Sequence, residues 1–411
     1  MLIAGAGAAG LTAAIFAAQN TRQGSSPRVV LLERTPQTGR KILMSGGTRC
    51  NVLPVRVGPE DFITSSSPNR LRNILKSWTL EECFSWFEHD LGLQMSCEQE
   101  SDKWFPASNS AREVRDVLLK RARQLGVEVR TGASVNHLHH NGKRWIVHTD
   151  SGETFTAPFV IMAMGGSSIP SSGTDGIGYR LAQALGHDIS EPYPALTPLL
   201  GAHPGGEPLP GITLEAGVRV GGEPGHAFQE KRSGFLFTHK GFSGPAVLDV
   251  SDHAVRRLAQ GKQPLLLINW NRRSEEWWMD AFGGPKTTTT LLREHLPRRL
   301  ADALLEQSGL EGRKTAELNK KVRTRLLDLL TAWPATITGH GGFKKAEVTG
   351  GGVPLEQIYT ATMASTVQPG LFLCGEILDV FGRIGGFNFY WAWVTGRLAG
   401  KSALRAWRAH T

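Results

Sequence analysis

The residues best placed to do chemistry are glycines. Gly5-Ala6-Gly7-Ala8-Ala9-Gly10 follows a short apolar run, Leu2-Ile3-Ala4, and leads into an alanine-rich stretch from Leu11 to Gln19. Strand, turn and helix in that order suit a dinucleotide phosphate site. Gly5 permits the tight turn, Gly7 lets backbone amides approach a pyrophosphate, and Gly10 lets the helix lie close to the strand. The helix start at Ala8 and Ala9 offers unpaired N–H groups and a positive dipole end to phosphate oxygens. A second apolar run, Val29 to Leu32, ends on Glu33, whose carboxylate can accept both hydroxyls of an adenosine ribose and would repel a 2′-phosphate. Gly5 and Glu33 are 28 residues apart (33 − 5), and the polar connection Thr21 to Pro27 absorbs the excess over the usual roughly 20.

NAD and FAD both fit such a turn. Between Gly39 and Asn51 runs a glycine-rich loop with Arg40 and Lys41 at its start, then Ser45, Gly46, Gly47, Thr48, Arg49 and Cys50. It can supply amides and cations to a second face of a pyrophosphate or to a flavin ring, or be a long surface turn. Near the other end, the apolar run Leu371 to Cys374 enters Gly375-Glu376-Ile377-Leu378-Asp379, a loop with Gly382, Gly385 and Gly386, and a helix from about Asn388 to Ala399. That helix start, beside a flavin's pyrimidine edge, would stabilise the charge developing on reduction by about 1 kcal/mol. That makes a flavin the more economical reading than NAD.

These elements must be carried by a folded scaffold. A chain of 411 residues, 40% hydrophobic and 20% charged, can build two or three domains, and disorder as the main state is excluded. No apolar run of about 18 residues occurs, so neither a membrane span nor a secretory signal is expected. The cysteines, Cys50, Cys83, Cys97 and Cys374, form no CxxC pair, which suits a reducing cytoplasm without structural metal or disulfide. A net charge of +9 could attract nucleic acid, yet the densest basic stretch, Arg313 to Arg325, reads as a solvated helix face, and nucleic acid is not expected as a partner. Residues 62–128 read as mainly helical, followed by strands including a hairpin through Asn141-Gly142 and a run from Phe159 to Ala163. The predicted fold class is α/β: a discontinuous dinucleotide-binding domain at 1–190 and 345–411, interrupted by a β-barrel-like domain at 191–270 and a helical subdomain at 271–344.

At these residues the chain resembles the BaiN/YhiN-like FAD-dependent oxidoreductases, a group that includes proteins named aminoacetone oxidases. The resemblance rests on Gly5 to Gly10, Gly39 to Val52, Trp104-Phe105-Pro106, Gly165 to His187, Phe237 to Val247, Ala346 to Val353 and Phe372 to Gly400. It implies a glutathione-reductase-type FAD domain, with Gly46, Gly47, Arg49, Asn51, Gly375, Asp379, Gly386 and Asn388 against non-covalent FAD. The expected cofactor-facing set also takes in Arg34, Val135, Ala163, Met164, Gly165, Gly166 and Phe387. Thr48 stands where the family usually has a third glycine, Met164 where a small polar residue is common, and Ser167 where Lys often follows. These departures touch substrate preference.

A flavin enzyme passes hydride through N5 while the protein positions the partners. No second strand–GxGxxG–helix is present, so NAD(P)H, if it is the donor, docks transiently. The expected substrate is a small enone or amine, and candidate catalytic residues are His239, Lys240, Arg383 and Tyr390. His239 suits acid–base work near neutrality, or a structural hydrogen bond. Cys50 beside Arg49 could be a low-pKa thiol or a packing residue. Tyr390 and Trp391 either cap the flavin or fill the core. An RNA-associated flavoprotein and a slow flavin redox sensor are the competing classes.

Overall fold

The computed structural model describes residues 1–19, 26–221, 233–270 and 273–410. Most of the connection Thr21 to Pro27 lies outside the described residues. The chain divides into two compact units, Met1–Tyr193 with Val348–Thr411, and Pro194–Glu347.

The first unit is built on a parallel sheet ordered Leu371–Leu373, Val160–Met162, Leu2–Ala4, Val30–Glu33 and Glu128–Thr131, with short antiparallel strands Ala364–Ser365 and Ile358–Tyr359 at one edge. Leu2, Ile3 and Ala4 are all buried, as a strand covered on both faces requires. The helix Ala8–Ala17 is buried over nearly its whole circumference. Its small residues explain why: a Cβ on Gly396 would stand 2.4 Å from Ala9 O, and one on Gly400 would stand 2.4 Å from Ala13 O. The C-terminal helix therefore lies directly on the first one, and it runs over Phe387–His410, well past the expected end near Ala399.

Small sheets are added to this unit. Val135–His140, Trp145–Thr149 and Thr154–Ala157 form an antiparallel meander, with Asn141 Oδ1 accepting from the amides of Lys143 and Arg144 at 3.0 and 2.9 Å. Lys103–Pro106 and Met95–Glu98, inside the region 62–128 predicted to be mainly helical, pair with each other and with Leu53–Pro54 ahead of it. These strands are too short to show alternation, whereas the helices Pro68–Leu75, Leu80–Ser85 and Ala111–Gln124 around them do carry apolar stripes.

The second unit contains a closed six-stranded barrel ordered Leu199–Gly201, Gly241–Ser243, Ser233–Phe237, Thr213–Val220, Leu265–Asn269 and Trp333–His340. The helices Glu275–Ala281, Thr288–His295, Arg298–Ser308 and Lys320–Thr331 come before its last strand. The barrel thus does not end at residue 270, and the helical piece is an excursion from it. Both parts share one core, in which Phe235, Phe237, Phe242, Trp270 and Trp333 meet ring to ring.

Candidate functional site

The glycine turn has the shape its sequence demands. Gly5 sits at φ 100°, and a Cβ there would fall 2.3 Å from Ala163 O. A Cβ on Gly10 would lie 1.8 Å from Gly5 O, so helix and turn touch through backbone alone. Gly7 differs: nothing stands within 4 Å of where its Cβ would be. The helix that starts at Ala8 has no acidic residue in its first turn and no side-chain cap. Its first turn therefore carries no anion of its own, and the open space at Gly7 fits a pyrophosphate bound at the positive helix end.

Glu33 closes the other side. Its Oε2 accepts the Ala6 amide at 2.9 Å, and its Oε1 accepts the Thr35 amide at 2.8 Å and hydroxyl at 2.7 Å. A carboxylate offers about four acceptor positions, so the second lone pair of Oε2 remains for a ribose hydroxyl. The Ala133 amide donates to Glu33 O at 2.8 Å, which brings buried Val135 close behind the same strand end. Arg34 is paired with Asp175 at 2.5 Å.

The loop from Gly39 turns back on itself. Gly46, Gly47, Thr48 and Cys50 all have positive φ, of 55°, 64°, 72° and 66°. A Cβ on Gly46 would meet Asn51 Oδ1 at 2.5 Å, whereas one on Gly47 would meet nothing. Thr48 therefore adopts a glycine-like conformation without being glycine. The low-pKa reading of Cys50 is corrected: its thiol is fully buried, and burial pushes it up to about 12. Arg49 lies on Phe105 at 4.2 Å and pairs with Glu98 at 2.9 Å, so it serves other partners.

Three distant loops are tied by one polar knot that sequence reasoning missed. Lys41 Nζ donates to Glu376 Oε2 and to Ser168 Oγ, both at 2.6 Å. Ser168 Oγ donates to Glu376 Oε1 at 2.9 Å, and that oxygen also accepts the Thr349 amide at 3.0 Å. Thr349 Oγ1 accepts the amides of Ser167 and Ser168 at 2.8 and 3.0 Å. Gly166 has no room for a side chain, since its Cβ would be 2.4 Å from Thr349 Oγ1; Gly165, at φ 70°, precedes it after Ala163 and Met164. Gly375, at φ 80°, approaches the glycine turn closely enough that its Cβ would be 2.8 Å from the Ala9 Cβ. The knot thus holds Arg40–Lys41, Gly165–Ser168 and Gly375–Glu376 around the start of the first helix. Arg40 carries no ion pair among the described residues.

The returning segment is braced in the same way. Buried Asp379 accepts from the Ser65 and Ser190 hydroxyls, the latter at 3.2 Å. The Asn388 side chain both accepts from Gly382 N at 2.8 Å and donates to Gly382 O at 2.7 Å. It pins the loop that carries Gly385, Gly386 and Phe387. A Cβ on Gly386 would come within 2.8 Å of Leu53 C, so this loop lies against the end of the Gly39–Asn51 segment.

Of the four catalytic candidates, Arg383 is in this unit and half-buried, paired with Asp61 at 2.6 Å and set over Phe387 at 5.0 Å. Tyr390 is corrected to a core residue: it is 1% exposed, and its hydroxyl donates to Trp78 O at 2.6 Å. Trp391 is equally buried, with Nε1 donating to Gly375 O at 3.1 Å. His239 and Lys240 belong to the second unit, exposed in the turn between Ser233–Phe237 and Gly241–Ser243.

The sequence matches the family described as HI0933-like protein Rossmann domain over residues 1–402. The chain belongs to the HI0933-like family. It is accordingly an FAD-dependent oxidoreductase with a Rossmann-type FAD-binding domain. Among its relatives, the 3-dehydro-bile acid Δ4,6-reductase of Clostridium scindens is 32% identical over 98% of both chains. The ribosomal RNA dihydrouridine synthases of Haemophilus influenzae and Escherichia coli are each 30% identical, over 95% of this chain and 95% and 94% of theirs. A quinol–fumarate reductase structure with menaquinol shares the fold, with a TM-score of 0.51 and 18% identity over all of this chain and 71% of that one. Two HI0933-like relatives named for action on RNA remove the basis for setting nucleic acid aside. No helix among the described residues is long and apolar enough to cross a membrane.

Proposed function

We propose that this protein reduces a ring carbon–carbon double bond conjugated to a carbonyl, with NAD(P)H as the external donor. The observation that carries this reading is that relatives similar over nearly their whole length, one named for a bile acid and others for ribosomal RNA, are named for the same change. A 3-oxo-Δ4,6 ring system and the uracil ring each have a double bond beside a carbonyl, and each gains hydrogen across it. The amine-oxidase alternative has no counterpart among these names.

FAD, held at Gly5–Gly10, Glu33 and the loops tied by Lys41 and Glu376, would supply hydride chemistry at N5. Reduction also requires a proton on the neighbouring carbon and a positive group to stabilise charge on the carbonyl oxygen. Arg383, fixed by Asp61, suits the second role. The small-molecule substrate is the leading reading. The RNA reading draws on Arg313, Lys314, Lys320, Lys321 and Arg325, all exposed, in a chain of net charge +9. Four unpaired cysteines support placing the protein in the cytoplasm.

The deciding experiment is anaerobic reduction of the FAD-loaded protein by NADH or NADPH. The reduced protein is then mixed with a 3-oxo-Δ4,6 steroid acid, unmodified ribosomal RNA or oxygen, and the oxidised protein is mixed separately with an amine. We expect rapid reoxidation by the steroid or the RNA and slow reoxidation by oxygen. Reduction of the flavin by the amine, with neither conjugated substrate reoxidising it, overturns the proposal.

A further inference from the structure

Three imidazoles gather on one side of the antiparallel meander, and none of them takes part in the nucleotide site. His137 and His139 are two residues apart on the strand Val135–His140, so they share a face. His148, on Trp145–Thr149, lies directly across from His137 in the strand register. The opposite face is apolar, with Leu138 and Val147 buried as a pair. The ring centroids are 5.2 Å apart for His137 and His139, 5.6 Å for His137 and His148, and 5.9 Å for His139 and His148. One ring nitrogen from each lies within 4.8 Å of the other two.

The hydrogen bonding around these rings is incomplete. His139 Nδ1 is buried without a hydrogen-bond partner, a cost that a bound cation or water would remove. His148 Nδ1 is bonded to Thr154 Oγ1 at 3.0 Å, which fixes that ring and leaves Nε2 to ligate. Tetrahedral zinc with Zn–N near 2.0–2.1 Å needs nitrogens about 3.3 Å apart, a distance that modest side-chain rotations reach from here. Three neutral nitrogen donors favour late first-row ions over calcium or magnesium.

We propose that His137, His139 and His148 form a binding site for a divalent transition-metal ion, zinc foremost, with a fourth position open to water. The strand period sets two ligands and the cross-strand register sets the third, so the site needs no loop to close on the metal. An ion there would clamp the Asn141–Gly142 hairpin by linking its two strands.

The test uses the full-length, FAD-loaded protein stripped with a chelator. Titration with Zn2+ by calorimetry should show one strong equivalent, and Co2+ should give the intense visible bands of a four-coordinate site. His139→Gln and His148→Gln should each weaken Zn2+ binding more than about tenfold, while His89→Gln, at an exposed position outside the cluster, should not. Retained flavin absorbance reports that the variants are folded. If a variant loses its flavin, the Co2+ spectrum of the unmodified protein still decides. Weak, octahedral-type Co2+ absorption, or Zn2+ affinity unchanged in a folded His139→Gln variant, overturns the proposal.

Discussion

Gly7 and Gly10 are both small residues of one turn, yet the structure assigns them different work, and replacing each with alanine separates the two. At Gly10 the new methyl would stand 1.8 Å from Gly5 O and 2.9 Å from Gly5 C, both backbone atoms that cannot rotate away. The helix would have to retreat by more than 1 Å, and overpacking of this kind costs about 1–3 kcal/mol or more. At Gly7 the backbone is φ −80°, ψ −164°, which alanine accepts, and the methyl meets no protein atom within 4 Å. The apoprotein then loses only the preference for glycine over alanine at a helix start, about 0.5–1 kcal/mol, or some 1–3 °C in a unit of this size. At the proposed FAD site the methyl would occupy the approach of a phosphate to the helix amides. Losing one charge-assisted hydrogen bond there costs about 1.5–3 kcal/mol, which raises the Kd for FAD about 10- to 150-fold. Titration of apoprotein by flavin fluorescence quenching, with melting curves with and without FAD, measures both quantities. A Gly7→Ala protein that binds FAD as tightly as the parent, or whose apoprotein melts as low as Gly10→Ala, refutes the reasoning.

Thr48→Gly should stabilise the protein by about 0.5–1 kcal/mol, because relief of a β-branched residue at φ 72° outweighs the added freedom of the unfolded chain; thermal melting checks it. Native iodoacetamide labelling should modify only the half-buried Cys97, with the buried Cys50, Cys83 and Cys374 reacting after denaturation; mass spectrometry reads the sites. His187 is 2% exposed, and burial holds its pKa below the ordinary value near 6.5, so the unfolded chain takes up a proton that the fold refuses. Stability should therefore fall as pH drops below about 6.5, and His187→Gln should flatten that slope in melts from pH 7 to 5. Glu33→Gln keeps the shape but replaces one acceptor oxygen by a donor, and should weaken FAD more than tenfold in the same fluorescence titration, with the ribose hydroxyls and the Ala6 amide competing for fewer acceptors.

What could be read in advance follows from the range of the physics involved. The turn geometry at Gly5, Gly7 and Gly10 was legible because it is set within one strand, one turn and one helix. The knot between Lys41 and Glu376 was not, since the partners are 335 residues apart and only the order of the sheet brings them together. The full length of the last helix was not legible for a related reason: the missing side chains of Gly396 and Gly400 let Ala9 and Ala13 approach, and the helix runs past the expected end near Ala399 to His410. Cys50 shows the same limit for charge. Arg49 precedes it in the chain, which suggests an activated thiol. In space the guanidinium turns to Glu98 and Phe105 while the thiol is sealed in the core. The backbone switches from φ −93° at Arg49 to φ 66° at Cys50, so these sequence neighbours project in different directions and do not become electrostatic neighbours. Thr48, at the centre of that loop, is where a change to glycine should relieve the strain of a positive φ that the glycines beside it adopt freely.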